Sequence, residues 1–167
     1  MDSIQLSQIL KADRYTAASF GGVLASNQLP RKPLRSFPAA FVANVDPSTQ
    51  PGRHWVAFFF LDGKHAEYFD SYGCPPGLTS FKTFLKKNSL YWQYNAQRIQ
   101  GPLSTVCGQY VLYYLLHRCR GWTLTNILEQ FTDDLSFNDF LVNDFIEKWT
   151  GFEFDVHDVD FLHAQFP

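Results

Sequence analysis

The sequence predicts an α+β fold, with a central mixed β-sheet flanked by helices in one domain over residues 1–167. Three observations carry this. Trp55 to Leu61 is a continuous apolar run of strand length without polar alternation, which fits a strand buried on both faces. From Cys107 to Arg120, Val111, Leu112, Leu115, Leu116 and Cys119 recur at helical spacing, and Tyr110, Tyr113 and Tyr114 fill much of the remainder. A helix apolar almost all round belongs in the core. Finally, the signals come in order: a helix and loops, then a hairpin, then helices.

The first element is a short helix over 3–11, with Ser3 as its cap and Ile4, Leu6, Ile9 and Leu10 as its apolar set. Residues 13–38 carry Gly21-Gly22, Asn27, Pro30, Pro33 and Pro38, which is loop chemistry with room for one short strand. Ala39 to Val45 reads as a strand, stopped at Asp46-Pro47. After the turn to Gly52 comes the buried strand, then Asp62-Gly63, a two-residue hairpin signal. The returning strand is His65 to Asp70. Ser71 to Gly77 is a loop. Thr79 or Ser80 caps a helix that aligns Phe81, Phe84 and Leu85. Residues 90–99 are strand-like, and Gly101-Pro102 breaks them. The central helix ends with Arg118, Arg120 and Gly121, a C-terminal signature. Helices follow at 124–131 and 136–149, the second opening on a capping-box-like Ser136 and Asp139.

A chain of 167 residues is long enough to bury a core, and seventeen Phe make that core aromatic. The net charge of −2 gives no strong nucleic-acid signal. Arg31, Lys32 and Arg35 read as a solvated loop. Three cysteines without a repeating spacing are not a disulfide framework, which points to a reducing compartment. No run is long and apolar enough for a membrane span, and the N-terminus lacks a secretory pattern. No cofactor or metal motif is present. The expected state is a monomer.

Cys107 opens the buried helix. A helix N-terminus carries partial positive charge and unpaired N–H groups, which favour a thiolate and can hold an oxyanion. Cys119, on an inward face, reads as an ordinary buried residue, and Cys74 sits in a Pro/Gly loop with no helix start after it. Of five histidines, His54 stands where the Gly52 turn meets the apolar strand. Counting back from the hairpin turn brings residues near 54 and 70 together at its open end. Asp70 can then orient the His54 ring and fix its tautomer. Gln100, seven positions before Cys107, offers a side-chain amide to an oxyanion. None of the four is persuasive alone. Together they describe a cysteine nucleophile, a base, an orienting acid and an oxyanion donor.

In chain order, His54-Trp55, Phe69-Asp70-Ser71-Tyr72-Gly73, Gln100-Gly101-Pro102 and Cys107-Gly108 resemble the adenovirus-type maturation proteases (adenains), and the segment from Tyr15 through Pro30 is similar to the entry region of the adenain-like proteases of Polinton or Maverick elements. These belong with the ubiquitin-like-protein-specific cysteine proteases. The resemblance covers residues 10–120. The seven-residue Gln–Cys interval favours the adenovirus branch. The deSUMOylating branch usually has six residues and an Asp before the Cys, where this chain has Val106.

The resemblance implies a mixed sheet packed on the nucleophile helix. It gives His54 as general base, Asp70 as orienting acid, Gln100 as oxyanion donor and Cys107 as nucleophile, with Trp55 shielding or positioning the base. It implies cleavage after Gly-Gly or Gly-X in viral precursor proteins, in host cytoplasm, nucleus or virion. The alternatives are a deubiquitinating or deSUMOylating isopeptidase, an acyltransferase with a similar triad, and a non-catalytic interaction module. The adenovirus enzyme is activated by DNA and by a peptide disulfide-linked to a cysteine upstream of the Gln. No cysteine lies between Cys74 and Cys107, so an activating peptide would lack that anchor here.

Overall fold

The computed structural model describes residues 1–151. His157 and His163 lie outside the described residues. The first helix, α1 (Ser3–Ala12), starts at Ser3 itself, so its cap lies one residue earlier than expected. Asp2 accepts from the N–H groups of Ile4 and Gln5, and Gln5 Oε1 accepts from Asp2 N. A carboxylate is a strong N-cap acceptor, so the cap falls on Asp2 rather than Ser3. Leu6, Ile9 and Leu10 face inward, whereas Ile4 is exposed. The stretch expected as loop with one short strand holds that strand, β1 (Phe20–Ala25), and in addition a one-turn helix, α2 (Arg14–Ala17).

Strands β2 (Ala39–Asn44), β3 (Trp55–Phe60), β4 (His65–Phe69) and β5 (Tyr91–Tyr94) complete a five-stranded sheet in sequential order. β1–β2 and β4–β5 are parallel, and β2–β3 and β3–β4 are antiparallel, so the sheet is mixed. β5 is shorter than the expected 90–99, because Asn95 onward leaves the ladder to build the site. The β3–β4 connection is longer than two residues. Phe60 pairs with Ala66, and the Asp62 carboxylate accepts from Lys64 N and His65 N, closing a wider turn.

Continuous apolar strands require cover on both faces, and two aromatic-rich cores supply it. On one face, α4 (Cys107–Arg118) packs with α1, α5 (Leu124–Leu128) and α6 (Leu135–Thr150) over Val42, Ala57, Phe59 and Phe69. On the other, α3 (Thr79–Asn88) sets Phe81, Phe84 and Leu85 against Phe41, Phe58 and Phe60. Edge-to-face rings at 5.0–5.4 Å join Phe84 to Phe41, Phe58 and Phe60, so its removal would cost about 3–5 kcal/mol. α3 begins after Leu78 with no side-chain cap, so neither Thr79 nor Ser80 caps it. Thr123 caps α5, which ends before the expected 131. Asp134 caps α6, so the Ser136–Asp139 box does not form. Asp139 is directed elsewhere, as described below.

Candidate active site

The site forms at the end of the sheet where β3 begins and β4 stops. His54 immediately precedes β3. Asp70 follows β4, and its Oδ1 lies 2.8 Å from His54 Nε2. Both side chains are largely buried, at 13% and 6% exposure. In the register that pairs Ala57 with Phe69, His54 falls in line with Tyr72, and the two rings stack at 4.8 Å. The imidazole therefore reaches Asp70 diagonally, with Tyr72 beneath it. Trp55 does not stack there. Its indole donates to Met1 O at 3.2 Å instead.

Asp70 is held rigidly. Its N–H donates to Asn95 Oδ1, and Asn95 Nδ2 donates back to its carbonyl. Its Oδ1 also accepts from Tyr72 N at 2.9 Å. Gly73 closes the turn by donating to Asp70 O at 2.7 Å, with φ +70. A Cβ there would lie 2.6 Å from the Gln97 carbonyl carbon, so glycine is needed for both the backbone angle and the close approach. Ser71 O accepts from the N–H groups of Ile99 and Gln100, tying the two loops together.

Cys107 is the first residue of α4, where first-turn N–H groups have no partner within the helix. It is buried to 8% exposure, and its side chain interacts with the His54 ring. Nε2 is committed to Asp70, so Nδ1 is the nitrogen left for the thiol. Burial alone would lower the imidazole pKa. The hydrogen bonds to Asp70 and Cys107, together with their negative charge, outweigh it and raise His54 to about 9. The imidazole is therefore protonated at neutral pH. Burial and the nearby charges of Cys107, Asp139 and Asp70 raise the Tyr72 hydroxyl, which thus stays protonated.

Gln100 has no exposed surface, so its amide does not face open solvent. Oε1 accepts from Ser71 Oγ at 2.5 Å, which fixes the amide orientation. Nε2 donates to Ser104 O at 2.9 Å. Its second contact, with Ser104 Oγ at 3.4 Å, is long, so that hydrogen is weakly held. Tyr72 Oη also donates to Ser104 O, at 3.3 Å.

The structure thus brings His54, Asp70 and Cys107 together, with His54 hydrogen-bonded to Asp70, and places Gln100 on the loop that leads into α4. Asn95, Ser71, Tyr72 and Ser104 were not assigned roles from sequence. Tyr72 lay within a motif, but its ring contact depends on the hairpin register. Cys74 is exposed. Cys119 is partly buried, and burial first, then the charge of Asp13, pushes its thiol up to about 11, far from a reactive state. Among the described residues, no cluster of His, Cys, Asp and Glu could hold a metal ion, and no helix is long and apolar enough to cross a membrane.

A five-stranded mixed sheet with a cysteine at the head of its central helix defines the α+β class. Within it, the chain is similar in fold to a crystal structure of ASFV pS273R protease, with a TM-score of 0.56 and 19% identity. The match covers 84% of this chain and 65% of that one, so the chain spans just under two thirds of its neighbour. A Se-Met crystal structure of ASFV pS273R protease aligns over 62% of this chain and 43% of that one, at 30% identity and a TM-score of 0.41. The fold comparison rests on the first. No family model matches the sequence, and no curated protein does.

Proposed function

We propose that this chain is a viral-type cysteine endopeptidase of the ubiquitin-like-protease superfamily, of the adenain kind. One observation carries the reading: a single imidazole, His54, is hydrogen-bonded to Asp70 and interacts with the side chain of Cys107 at the head of α4. The Cys107 sulfur, its proton carried by His54, attacks a scissile carbonyl. The oxyanion is held by the Cys107 N–H and by Gln100 Nε2, once substrate displaces the weak Ser104 Oγ contact. His54 then protonates the leaving amine. A water activated by His54 hydrolyses the thioester, restoring the thiol. We take the substrates to be precursor proteins with Gly-Gly or Gly-X sites, cut in a reducing compartment by a monomer.

The test is hydrolysis of a Gly-Gly-containing peptide. Cys107→Ala should lower kcat/KM by at least about 10⁴-fold, and Gln100→Ala by about 10²–10³-fold. Undiminished turnover in Cys107→Ala would remove the assignment. A parallel panel of ubiquitin-like probes separates precursor cleavage from deconjugation.

A further inference from the structure

The Gln100–Cys107 loop is anchored from a distant part of the chain. Asp139, in the first turns of α6, points its carboxylate at Gly101. Gly101 N donates to its Oδ1 and Oδ2 at 3.3 and 3.2 Å. The Tyr110 hydroxyl, one turn into α4, donates to Oδ1 at 2.8 Å, and the Ser104 side chain interacts with the carboxylate. Asp139 is more than half buried, and no Lys, Arg or His forms an ion pair with it among the described residues. An unpaired carboxylate in such a place costs solvation and weakens the case for a purely stabilising role.

The position explains two features of the loop. A Cβ on Gly101 would lie 2.7 Å from Asp139 Oδ2, so the glycine of Gln-Gly-Pro makes room for the carboxylate. Ser104 is held between Asp139 and Gln100, and its carbonyl takes the main hydrogen bond of the Gln100 amide. Asn138 adds a neighbouring tie, donating from Nδ2 to Ile99 O at 3.1 Å. One end of α6 thus fixes both the residue after Gln100 and the serine three residues before Cys107.

We infer that Asp139 is a positioning residue for the oxyanion site: it sets where the Gln100 amide stands relative to Cys107 without touching substrate. This rests on the protease reading and deepens it. The effect belongs to the step that develops oxyanion charge, not to the thiol itself. A displacement of about 1 Å at such a site costs on the order of 10²-fold.

The experiment compares Gly-Gly peptide turnover with Cys107 alkylation by iodoacetamide, which forms no oxyanion. Asp139→Ala is expected to lower kcat about 10–100-fold, with KM within about threefold and the alkylation rate within about twofold. Asp139→Asn keeps the oxygen that Gly101 and Tyr110 both contact, and it should recover most of the loss. Gly101→Ala attacks the same contact from the other side and carries the test if Asp139→Ala fails to fold. The two substitutions should not add when combined. Unchanged turnover, or alkylation falling in step with turnover, would overturn the inference. Absence of turnover in the wild type would instead overturn the protease reading on which it rests.

Discussion

At the scale of single residues, the most informative group is His54. Burial opposes its protonation, and two acidic neighbours more than compensate, leaving it near 9. The sign of the consequence follows. The folded state binds this proton more tightly than the unfolded chain, whose His titrates near 6.5. The stability contributed is fully present below about pH 6.5 and is lost as pH rises through about 9; it is on the order of 3 kcal/mol. Thermal denaturation across pH 6–10 should show the melting temperature falling through that window. Asp70→Asn should flatten the slope, because Asp70 heads the influences that raise the pKa. An unaltered slope would mean that the pair does not hold the proton.

At the scale of elements, the sheet is joined to the central helix by an ion pair as well as by packing. Glu67 on β4 accepts from Arg118 Nε at 2.8 Å and from the Tyr114 hydroxyl at 2.6 Å, with all three buried. The Arg118 guanidinium also lies 4.4 Å from the Phe59 ring centre. The sequence reading placed Arg118 as a helix-end cation, but its side chain turns inward while Arg120 caps the Leu116 carbonyl. Arg118→Ala would leave Glu67 buried beside Tyr114 without its cation. We expect a loss of about 3–5 kcal/mol in urea denaturation. A loss under about 1 kcal/mol would show that water reaches the pair.

At the scale of the whole molecule, charge is strongly segregated. From sequence, Arg31, Lys32 and Arg35 read as a solvated loop. In the structure that loop packs on α3, where Lys87 Nζ donates to Arg31 O and Leu34 N donates to Asn88 Oδ1. Lys82, Lys86 and Lys87 extend the same face, all six cations are exposed, and residues 26–38 and 75–90 contain no Asp or Glu. The other eight Lys and Arg share the chain with all sixteen acids. A net charge of −2 conceals this. The protein is expected to bind a cation-exchange resin at pH 7 and low salt, and Lys82→Glu with Lys86→Glu and Lys87→Glu should abolish retention. Passage of the wild type through the resin would refute the segregation.

By itself the sequence determined what local pattern and short-range spacing can encode. The apolar run at 55–61 and the helical spacing after Cys107 required a two-sided sheet and a buried helix, because continuous apolar surface must be covered. The hairpin brought His54 and Asp70 to one end of that sheet, since two strands joined by a short turn have little choice of where they finish. What the sequence left open depended on long-range contacts. The register that puts Tyr72 under His54 follows from a turn closed by Asp62 rather than by the expected two-residue link. The burial of Gln100, the tie from Asn95 to Asp70 and the reach of Asp139 to Gly101 link segments 25 to 38 residues apart, or bury a polar side chain among them. No local periodicity records such contacts. Only the packed tertiary structure decided them, because a polar side chain leaves water only where a particular partner replaces it.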